Sequence, residues 1–200
     1  MPSIVVPFRG SGAKQRLAAA GEEVRAAIAL AMLGDVLAAC ATTAATVVVT
    51  DDPRARQEAK KFRATVVDDP GAGQGPAVAA AIREVGGSVL VVNADLPCIR
   101  PNDLRALLTA TPSGGLALVA AEDGTTNALS LADGRLFAPL YGPDSAERFI
   151  AHATALRVKA VRASIPNLAD DVDTLPDLYR VQYRAGLRTQ AAIALLRETA

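Results

Sequence analysis

Acidic residues in two distant segments of the sequence can together form a metal site. Asp95 lies within Asn93–Pro97, directly after the most strand-like run of the chain. Asp171 and Asp173 are two residues apart, a spacing that points both side chains to one side of an extended segment. Carboxylate oxygens are the ligands that Mg²⁺ prefers, so we predict a magnesium site at Asp95, Asp171 and Asp173. The alternatives are a cap on the next turn for Asp95 and a solvated acidic turn for the later pair.

The loop Arg9–Arg16, which follows the first strand-like run, has the composition of a phosphate-binding loop. Gly10 and Gly12 allow the backbone to approach a ligand closely, and Lys14 and Arg16 add positive charge. The loop has neither the Gly-Lys-Ser/Thr of a Walker A motif nor the glycine spacing of a dinucleotide fingerprint. An ordinary polar loop between a strand and a helix is the alternative.

Two glycine-containing segments in the second half of the chain carry small hydrogen-bond donors. Asp123–Asn127 and Tyr141–Ser145 place hydroxyl and amide groups beside glycine, which suits a small phosphate or carboxylate. Ser145 at the start of a helix would combine its hydroxyl with the positive end of the helix dipole, and Arg148 one turn later can bind the same anion. Asp144 or Ser145 can cap this helix, and the alternative for Ser145 is an ordinary N-cap.

Histidine and cysteine are too scarce for several common kinds of site. His152 is the single histidine, which excludes catalysis by a pair of histidines, and we interpret it as a partly exposed helical residue. Cys40 and Cys98 are too few for a zinc site or a disulfide framework, and we expect both to be reduced. We interpret Cys98 as a small buried hydrophobic residue. A metal would therefore be held by carboxylates, which favours Mg²⁺ over Zn²⁺.

Length and composition favour one compact domain, which we expect to span residues 1–200. The 21 basic residues balance 21 acidic ones, and a net charge near zero argues against a protein that coats nucleic acid. We find no apolar run of the ~18 residues that a membrane span needs, and no signal peptide. We therefore expect a cytoplasmic protein without a membrane partner. The oligomeric state stays open, with a homodimer as one alternative.

Short β-branched runs alternate with longer alanine- and leucine-rich helical stretches along the chain. We predict strands at residues 3–7, 46–50, 65–67, 88–92, 116–121, 127–131 and 158–161. We predict helices at about 22–41, 53–62, 76–85 and 145–154, one that starts near Asn102 as its cap, and one or two that close the chain around Gly186. This rhythm predicts an α/β fold with a mostly parallel sheet and helices on both faces. Ligand sites are then expected in the loops that follow the strands.

Taken in order, these segments resemble the guanylyltransferase family of coenzyme F(420) biosynthesis, whose members join GMP from GTP to 2-phospho-L-lactate or phosphoenolpyruvate. The resemblance covers nearly the whole chain and rests on Ala13–Leu17, Asn93–Pro97, Gly124–Leu129, Gly142–Ser145 and Asp171–Thr174. It implies a three-layer Rossmann-like nucleotidyltransferase fold of the GT-A type. It also implies GTP and one of the two phosphorylated acids as partners, and Mg²⁺ as cofactor.

The same resemblance implies a role for each matched residue. Lys14 and Arg16 would contact the GTP phosphates and act in catalysis together with Asp95. Asp171 and Asp173 would complete the Mg²⁺ site around Asp95. The nucleotide-binding set would be Arg9, Gly10, Lys14 and Gly75. The acceptor-binding set would be Thr126, Asn127, Gly142, Ser145 and Arg148.

Three positions depart from the family pattern: Phe8 replaces a lysine, Gly75–Ala77 replaces Gly-Leu-Asn, and Phe149 replaces a histidine. The expected reaction is an in-line attack by the acceptor phosphate on the α-phosphorus of GTP, with release of pyrophosphate. The acceptor phosphate is already an anion, so no general base is required. Two alternatives remain. One is a related nucleotidyltransferase with another base or acceptor, of the molybdenum-cofactor or sugar-phosphate type. The other is a degenerate nucleotide-binding protein.

Overall fold

The structure is a computed structural model that describes residues 2–10 and 21–198. The strands are β1 (Ser3–Pro7), β2 (Ala45–Val49), β3 (Thr65–Val67), β4 (Val89–Val92), β5 (Leu116–Ala120), β6 (Thr126–Leu131) and β7 (Ala160–Arg162). The helices are α1 (Glu22–Ala41), α2 (Pro53–Lys61), α3 (Gln74–Val85), α4 (Pro101–Ala110), α5 (Ser145–Ala155), α6 (Pro166–Ala169), α7 (Leu175–Val181) and α8 (Leu187–Glu198). A 3₁₀ turn lies at Gly134–Leu136.

The seven strands form one sheet in the order β3-β2-β1-β4-β6-β5-β7. All neighbouring pairs are parallel except those of β6, which runs antiparallel to both β4 and β5. The chain adds β2 and β3 on one side of β1 and then crosses to place β4 on the other side. This reversal puts the carboxyl ends of β1 and β4 next to each other, which is where an open α/β sheet binds its ligands.

Strand residues alternate between two hydrophobic cores, one on each face of the sheet. Ile4 and Val6 of β1 pack into the core beneath α1, α2 and α4, whereas Val5 packs into the core beneath α3 and α5. Strand side chains alternate between faces, so a strand covered on both sides must be apolar throughout. Leu90 of β4 joins the first core and Val91 the second. The three-layer Rossmann-like fold expected from the sequence is confirmed.

Helix α1 is apolar on more than one side because it is buried on two sides. Leu33 and Leu37 face the sheet, while Ile28 and Met32 pack against α7 and α8. By length and composition α1 would suffice to cross a membrane, contrary to the expectation that no segment reaches that length. Of its most apolar window, 61% is buried inside the protein. An all-round apolar helix of this kind is typical of a core position.

Several predicted boundaries hold, and one predicted cap is wrong. The bounds of β1, α1 and β3 agree with the expected ones. Helix α4 begins at Pro101, and Arg100 precedes it with its backbone N–H donating to Asp103 Oδ2 at 2.8 Å. Asn102 therefore lies inside the first turn, where its side chain accepts from Arg105. Proline suits this first turn because the backbone N–H it lacks would have no helical partner there.

A buried carboxylate fixes the C-terminal helix to the rest of the fold. Asp35 of α1 accepts hydrogen bonds from the backbone N–H groups of Arg188 and Thr189, at 3.2 and 2.9 Å. It thereby satisfies donors in the first turn of α8 that have no partner within the helix. Gly186 lies against this carboxylate, where a Cβ atom would come within 2.2 Å of Asp35 Cγ. Asp35 and the start of α8 are named the α8 anchor below.

Candidate active site

Three carboxylates meet at the carboxyl end of β4. Asp95 follows β4, while Asp171 and Asp173 follow α6, and one carboxylate oxygen from each lies within 4.8 Å of the others. The two segments are joined directly, since Val172 N donates to Asp95 O at 3.1 Å. Val172 itself is fully buried against α1 and α7, which keeps Asp171 and Asp173 on the opposite side of the segment. These three residues are named the acidic triad below.

The acidic triad concentrates negative charge in a partly buried place. Burial raises the pKa of Asp171 to about 6, and the negative charge of Asp95 adds to this effect. A hydrogen bond from Asn127 Nδ2, at 3.2 Å, acts in the opposite direction. Crowded carboxylates of this kind are stabilised by a cation placed between them.

The geometry of the acidic triad fits a hard divalent cation. Mg²⁺ takes oxygen ligands at about 2.0–2.1 Å, so ligands on opposite sides of the ion are about 4.2 Å apart. The oxygens of the triad lie within 4.8 Å of one another, close enough for all three carboxylates to converge on one such ion. Asp95, Asp171 and Asp173 are all partly exposed, which gives an ion access.

Asp170 precedes the triad in sequence but belongs to a different interaction. Its carboxylate forms ion pairs with Arg180 of α7 and with Arg184. Burial acts against its charged form, but the hydrogen bonds from these two arginines outweigh burial and lower the pKa of Asp170. Of the consecutive acids in this segment, Asp170 therefore anchors the segment and Asp171 and Asp173 point into the site.

Three amide side chains lie beside the acidic triad. Asn127 of β6 donates to Asp171, and its Oδ1 accepts from Asn93 Nδ2 at 3.4 Å. Asn93 Nδ2 is also 3.3 Å from the carbonyl oxygen of Thr126, and Asn93 Oδ1 accepts from Gln74 Nε2 at 2.7 Å. Sequence reasoning missed Gln74 and Asn93. The signal for Asn93 was its place directly after β4, two residues before Asp95.

A cavity opens next to the acidic triad, between the ends of β1 and β4. It is lined by Pro7, Phe8, Arg9, Gly10, Ala29, Met32, Gln74, Asn93, Ala94 and Asp95. Arg9 and Gly10 therefore share a cavity with Asp95, as their predicted roles in nucleotide binding require. The Arg9 guanidinium bridges to the loop before α3 through Asp69 and through the carbonyl of Gly71. Lys14 and Arg16 lie outside the described residues.

Gly75 lies next to this cavity but is covered. It is buried, and a Cβ atom at its position would come within 2.7 Å of the Cβ atom of Pro139. Only glycine allows α3 to pack this closely on the segment before α5. The neighbouring residue Gln74 lines the cavity instead. A role for Gly75 in nucleotide binding would have to use its backbone.

The predicted acceptor-binding residues form a second cluster around the start of α5. Ser145 is fully buried and donates its hydroxyl to Thr126 Oγ1 at 3.0 Å. Asp144 occupies the N-cap position of α5 without a side-chain capping bond, so the interpretation of Ser145 as a plain N-cap is wrong. Gly142 has φ +115°, and a Cβ there would come within 3.3 Å of Arg148 Nη2. Arg148 donates to the carbonyl of Tyr141 at 3.1 Å.

Histidine and cysteine are placed as the sequence indicated. His152 is half-buried on α5, and its Nε2 lies 3.1 Å from the carbonyl oxygen of Leu136, so this nitrogen carries the proton. Cys40 and Cys98 are free and buried. Burial raises the pKa of both thiols, which keeps them protonated and poorly nucleophilic.

Comparison with sequence families agrees with this geometry. Residues 8–171 match the model of the MobA-like NTP transferase domain. A phosphoenolpyruvate guanylyltransferase from Nocardia farcinica is 37% identical over 206 residues, an alignment that covers 96% of this chain and 89% of that protein. A phosphoenolpyruvate guanylyltransferase from Streptomyces scabiei is 36% identical, with 97% of this chain and 96% of that protein covered.

Solved structures share the fold at low sequence identity. A candidate nucleotide-diphospho-sugar transferase from Desulfovibrio desulfuricans G20 superposes with a TM-score of 0.78 at 18% identity, covering 99% of this chain and 98% of that one. A nucleotidyl transferase from Methanothermobacter gives a TM-score of 0.65 at 17% identity, covering 90% of this chain and 95% of that one. These two likenesses establish the architecture of the sheet and helices.

Proposed function

Because this chain belongs to the phosphoenolpyruvate guanylyltransferase family, within the MobA-like NTP transferases, we propose that it transfers GMP from GTP to phosphoenolpyruvate and releases pyrophosphate. The observation that carries the proposal is the acidic triad, which lies at the edge of a cavity at the sheet's topological switch point. Nucleotidyl transfer needs positive charge beside the triphosphate, and a divalent cation held by the triad would supply it at this edge. The family resemblance places the reaction in coenzyme F(420) biosynthesis.

The reaction is a displacement at the α-phosphorus of GTP. A phosphate oxygen of the acceptor forms a bond to that phosphorus, and the bond from the α-phosphorus to the bridging oxygen of the β-phosphate breaks. Pyrophosphate takes away the bonding electrons, and the product contains a new phosphoanhydride. The acceptor phosphate attacks as an anion, so the protein need only position the two reactants and compensate their charge.

Asp95, Asp171 and Asp173 are the residues that would hold Mg²⁺. A magnesium ion bound there would neutralise charge on the phosphate oxygens of GTP. The support is the closeness of the three carboxylates, and the pKa of Asp171, which is raised first by burial and then by the negative charge of Asp95.

The remaining roles are proposals drawn from the family resemblance and supported by position. Arg9 and Gly10 line the cavity and would bind the nucleotide, together with Lys14, Arg16 and the backbone of Gly75. The cluster around Thr126 and Ser145 would bind the acceptor, with Asn127, Gly142 and Arg148. Because Ser145 donates its hydroxyl hydrogen to Thr126, the Thr126 hydroxyl keeps its own hydrogen for an acceptor oxygen.

Pyrophosphate release from purified protein tests the reaction and its substrates. GTP, ATP, CTP and UTP are each supplied with phosphoenolpyruvate, 2-phospho-L-lactate or a sugar phosphate, in the presence of Mg²⁺. We expect turnover with GTP and phosphoenolpyruvate, and we expect Asp95→Asn to abolish it while the circular dichroism spectrum is unchanged. Near-normal turnover of Asp95→Asn would reject the metal site. Nucleotide binding without pyrophosphate in every combination would indicate a degenerate nucleotide-binding protein.

We further propose a protein with no nucleic-acid or membrane partner. The near-zero net charge supports the first of these exclusions, and the burial of α1 inside the fold supports the second. A cytoplasmic location, a single domain over residues 1–200 and the homodimer alternative stay predictions.

A further inference from the structure

The side-chain amides of Gln74, Asn93 and Asn127 form a continuous hydrogen-bonded chain that ends on Asp171. The chain runs from Gln74 to Asn93 at 2.7 Å, from Asn93 to Asn127 at 3.4 Å and from Asn127 to Asp171 at 3.2 Å. We name it the amide relay. Its members come from α3, the end of β4 and β6, and all of them are buried or half-buried.

The direction of every amide in the relay is fixed by groups that can only accept. The carboxylate of Asp171 accepts, so Asn127 must present Nδ2 to it and Oδ1 to Asn93. The backbone carbonyl of Thr126 also accepts, so Asn93 must present Nδ2 on that side. Asn93 Oδ1 is then left for Gln74 Nε2. All three amides therefore donate toward the acidic triad.

We propose that Asn93 is a positioning residue for the metal site, acting on Asp171 through Asn127. By donating to Asn127 Oδ1, Asn93 holds the Asn127 amide with its N–H groups toward Asp171. The hydrogen bond from Asn127 Nδ2 to Asp171 Oδ1 then sets the direction of the Asp171 carboxylate and leaves its other oxygen for a divalent cation. The inference rests on the proposed function, because the acidic triad must bind that cation. Groups that orient metal ligands in this way typically change metal affinity 10–100-fold when they are mutated.

The substitution Asn93→Asp distinguishes the relay from simple electrostatics by the sign of its effect. A carboxylate at residue 93 can only accept, so Asn127 must turn its N–H groups toward it and its oxygen toward Asp171. The Asp171 carboxylate then faces a second oxygen and is turned away from its place in the triad. Coulomb attraction alone predicts the opposite, because an added negative charge near Asp95 would bind a cation more tightly.

The experiment measures Mn²⁺ binding to the purified protein at pH 8 without nucleotide, from the electron paramagnetic resonance signal of free Mn²⁺. We expect Asn93→Asp to weaken Mn²⁺ binding about tenfold or more. Asn93→Ser, which cannot reach Asn127, removes this hydrogen bond without reversing the Asn127 amide, so it is expected to weaken binding measurably but less than the isosteric Asp variant. The matched control is Asn102→Asp on the exposed side of α4, where the same change should leave binding unchanged. Wild type gives the reference affinity for Mn²⁺, and Asp171→Asn shows the affinity that remains when the metal site is lost.

The outcomes separate this inference from the proposed function. If wild type binds Mn²⁺ and Asp171→Asn does not, the metal site stands. Equal or tighter binding by folded Asn93→Asp would then overturn the relay alone. If wild type binds no Mn²⁺, or if Asp171→Asn binds it equally well, the proposed metal site fails and the relay fails with it. Should Asn93→Asp not fold, unchanged binding by folded Asn93→Ser would overturn the relay.

Discussion

The acidic triad and the α8 anchor use buried or half-buried aspartates in opposite ways. Asp35 of the α8 anchor accepts hydrogen bonds from two backbone N–H groups and lies against Gly186, so its donors are part of the folded backbone. Asp171 of the triad accepts a hydrogen bond from the Asn127 side chain but is partly buried beside the charge of Asp95, and its pKa is raised to about 6. One carboxylate serves the fold, while the other is held in a place that favours a cation.

The partners of each aspartate decide whether it stabilises the fold or serves a binding site. A carboxylate that accepts from the backbone of a helix terminus stabilises the fold at neutral pH, because its partners are permanent. A carboxylate crowded by like charge costs stability until a ligand arrives, which is typical of binding and catalytic sites. Asp170 and Asp171 show this contrast between adjacent residues, since the pKa of the first is lowered and that of the second raised.

The largest expected effect comes from removing the charge of the triad. Asp171→Asn should reduce pyrophosphate release by about a thousandfold, because several kcal/mol of charge stabilisation in the transition state depend on the metal. Its melting temperature without metal should not fall, since the substitution relieves repulsion with Asp95. Pyrophosphate release and thermal melting are measured together, with Asp170→Asn as the neighbouring control. Turnover within tenfold of wild type would contradict the assignment of Asp171 to the metal.

Asp35→Ala should do the reverse and affect the fold. It leaves the N–H groups of Arg188 and Thr189 without their acceptor, and we expect a loss of about 2–4 kcal/mol in the free energy of unfolding. Urea unfolding measures this loss. Asp35→Asn keeps one acceptor oxygen and should lose less, and Asp51→Ala at an exposed position should be neutral. A loss below about 0.5 kcal/mol for Asp35→Ala would show that α8 is held by apolar packing alone.

The pH dependence should follow Asp171. Its folded pKa of about 6 lies above the unfolded value, so the folded state binds the proton more tightly and gains stability as the pH falls through 6. The stability advantage of metal-free Asp171→Asn over wild type should therefore shrink between pH 7 and pH 5. Mn²⁺ affinity should fall over the same range, because the proton competes with the metal. If the stability difference between wild type and Asp171→Asn is the same at pH 7 and pH 5, the pKa of Asp171 is not raised.

The smallest effect is expected at Asp170. Its partners Arg180 and Arg184 are about half exposed, so their ion pairs are screened by solvent, and Asp170→Asn should cost about 1 kcal/mol of unfolding free energy. Urea unfolding checks this value, and pyrophosphate release should stay within a few-fold of wild type. A loss as large as that of Asp35→Ala would mean that this loop, like α8, is fixed by its carboxylate.

Much of the fold and part of the site follow from the sequence. The β-branched runs and the apolar spacing of α1 predict their elements because burial on a sheet or helix face imposes a local period on the residues. The meeting of Asp95 with Asp171 and Asp173 was predictable because the two segments belong to the connections that leave β4 and β7 at the same edge of the sheet. The cap of α4 was not predicted, since proline and Arg100 moved its start ahead of Asn102.

The order of residue types alone predicts where strands and helices alternate and that carboxylates lie in the connections after β4 and β7. The position of β6 between β4 and β5, in the antiparallel direction, is known only from the three-dimensional fold. That placement brings Asn127 beside Asn93 and Asp171, residues 34 and 44 positions away from it. The spacing of apolar residues along the sequence reflects only how each residue is buried with its near neighbours in the chain. A hydrogen bond between polar side chains depends instead on the order of the strands, which no local pattern encodes.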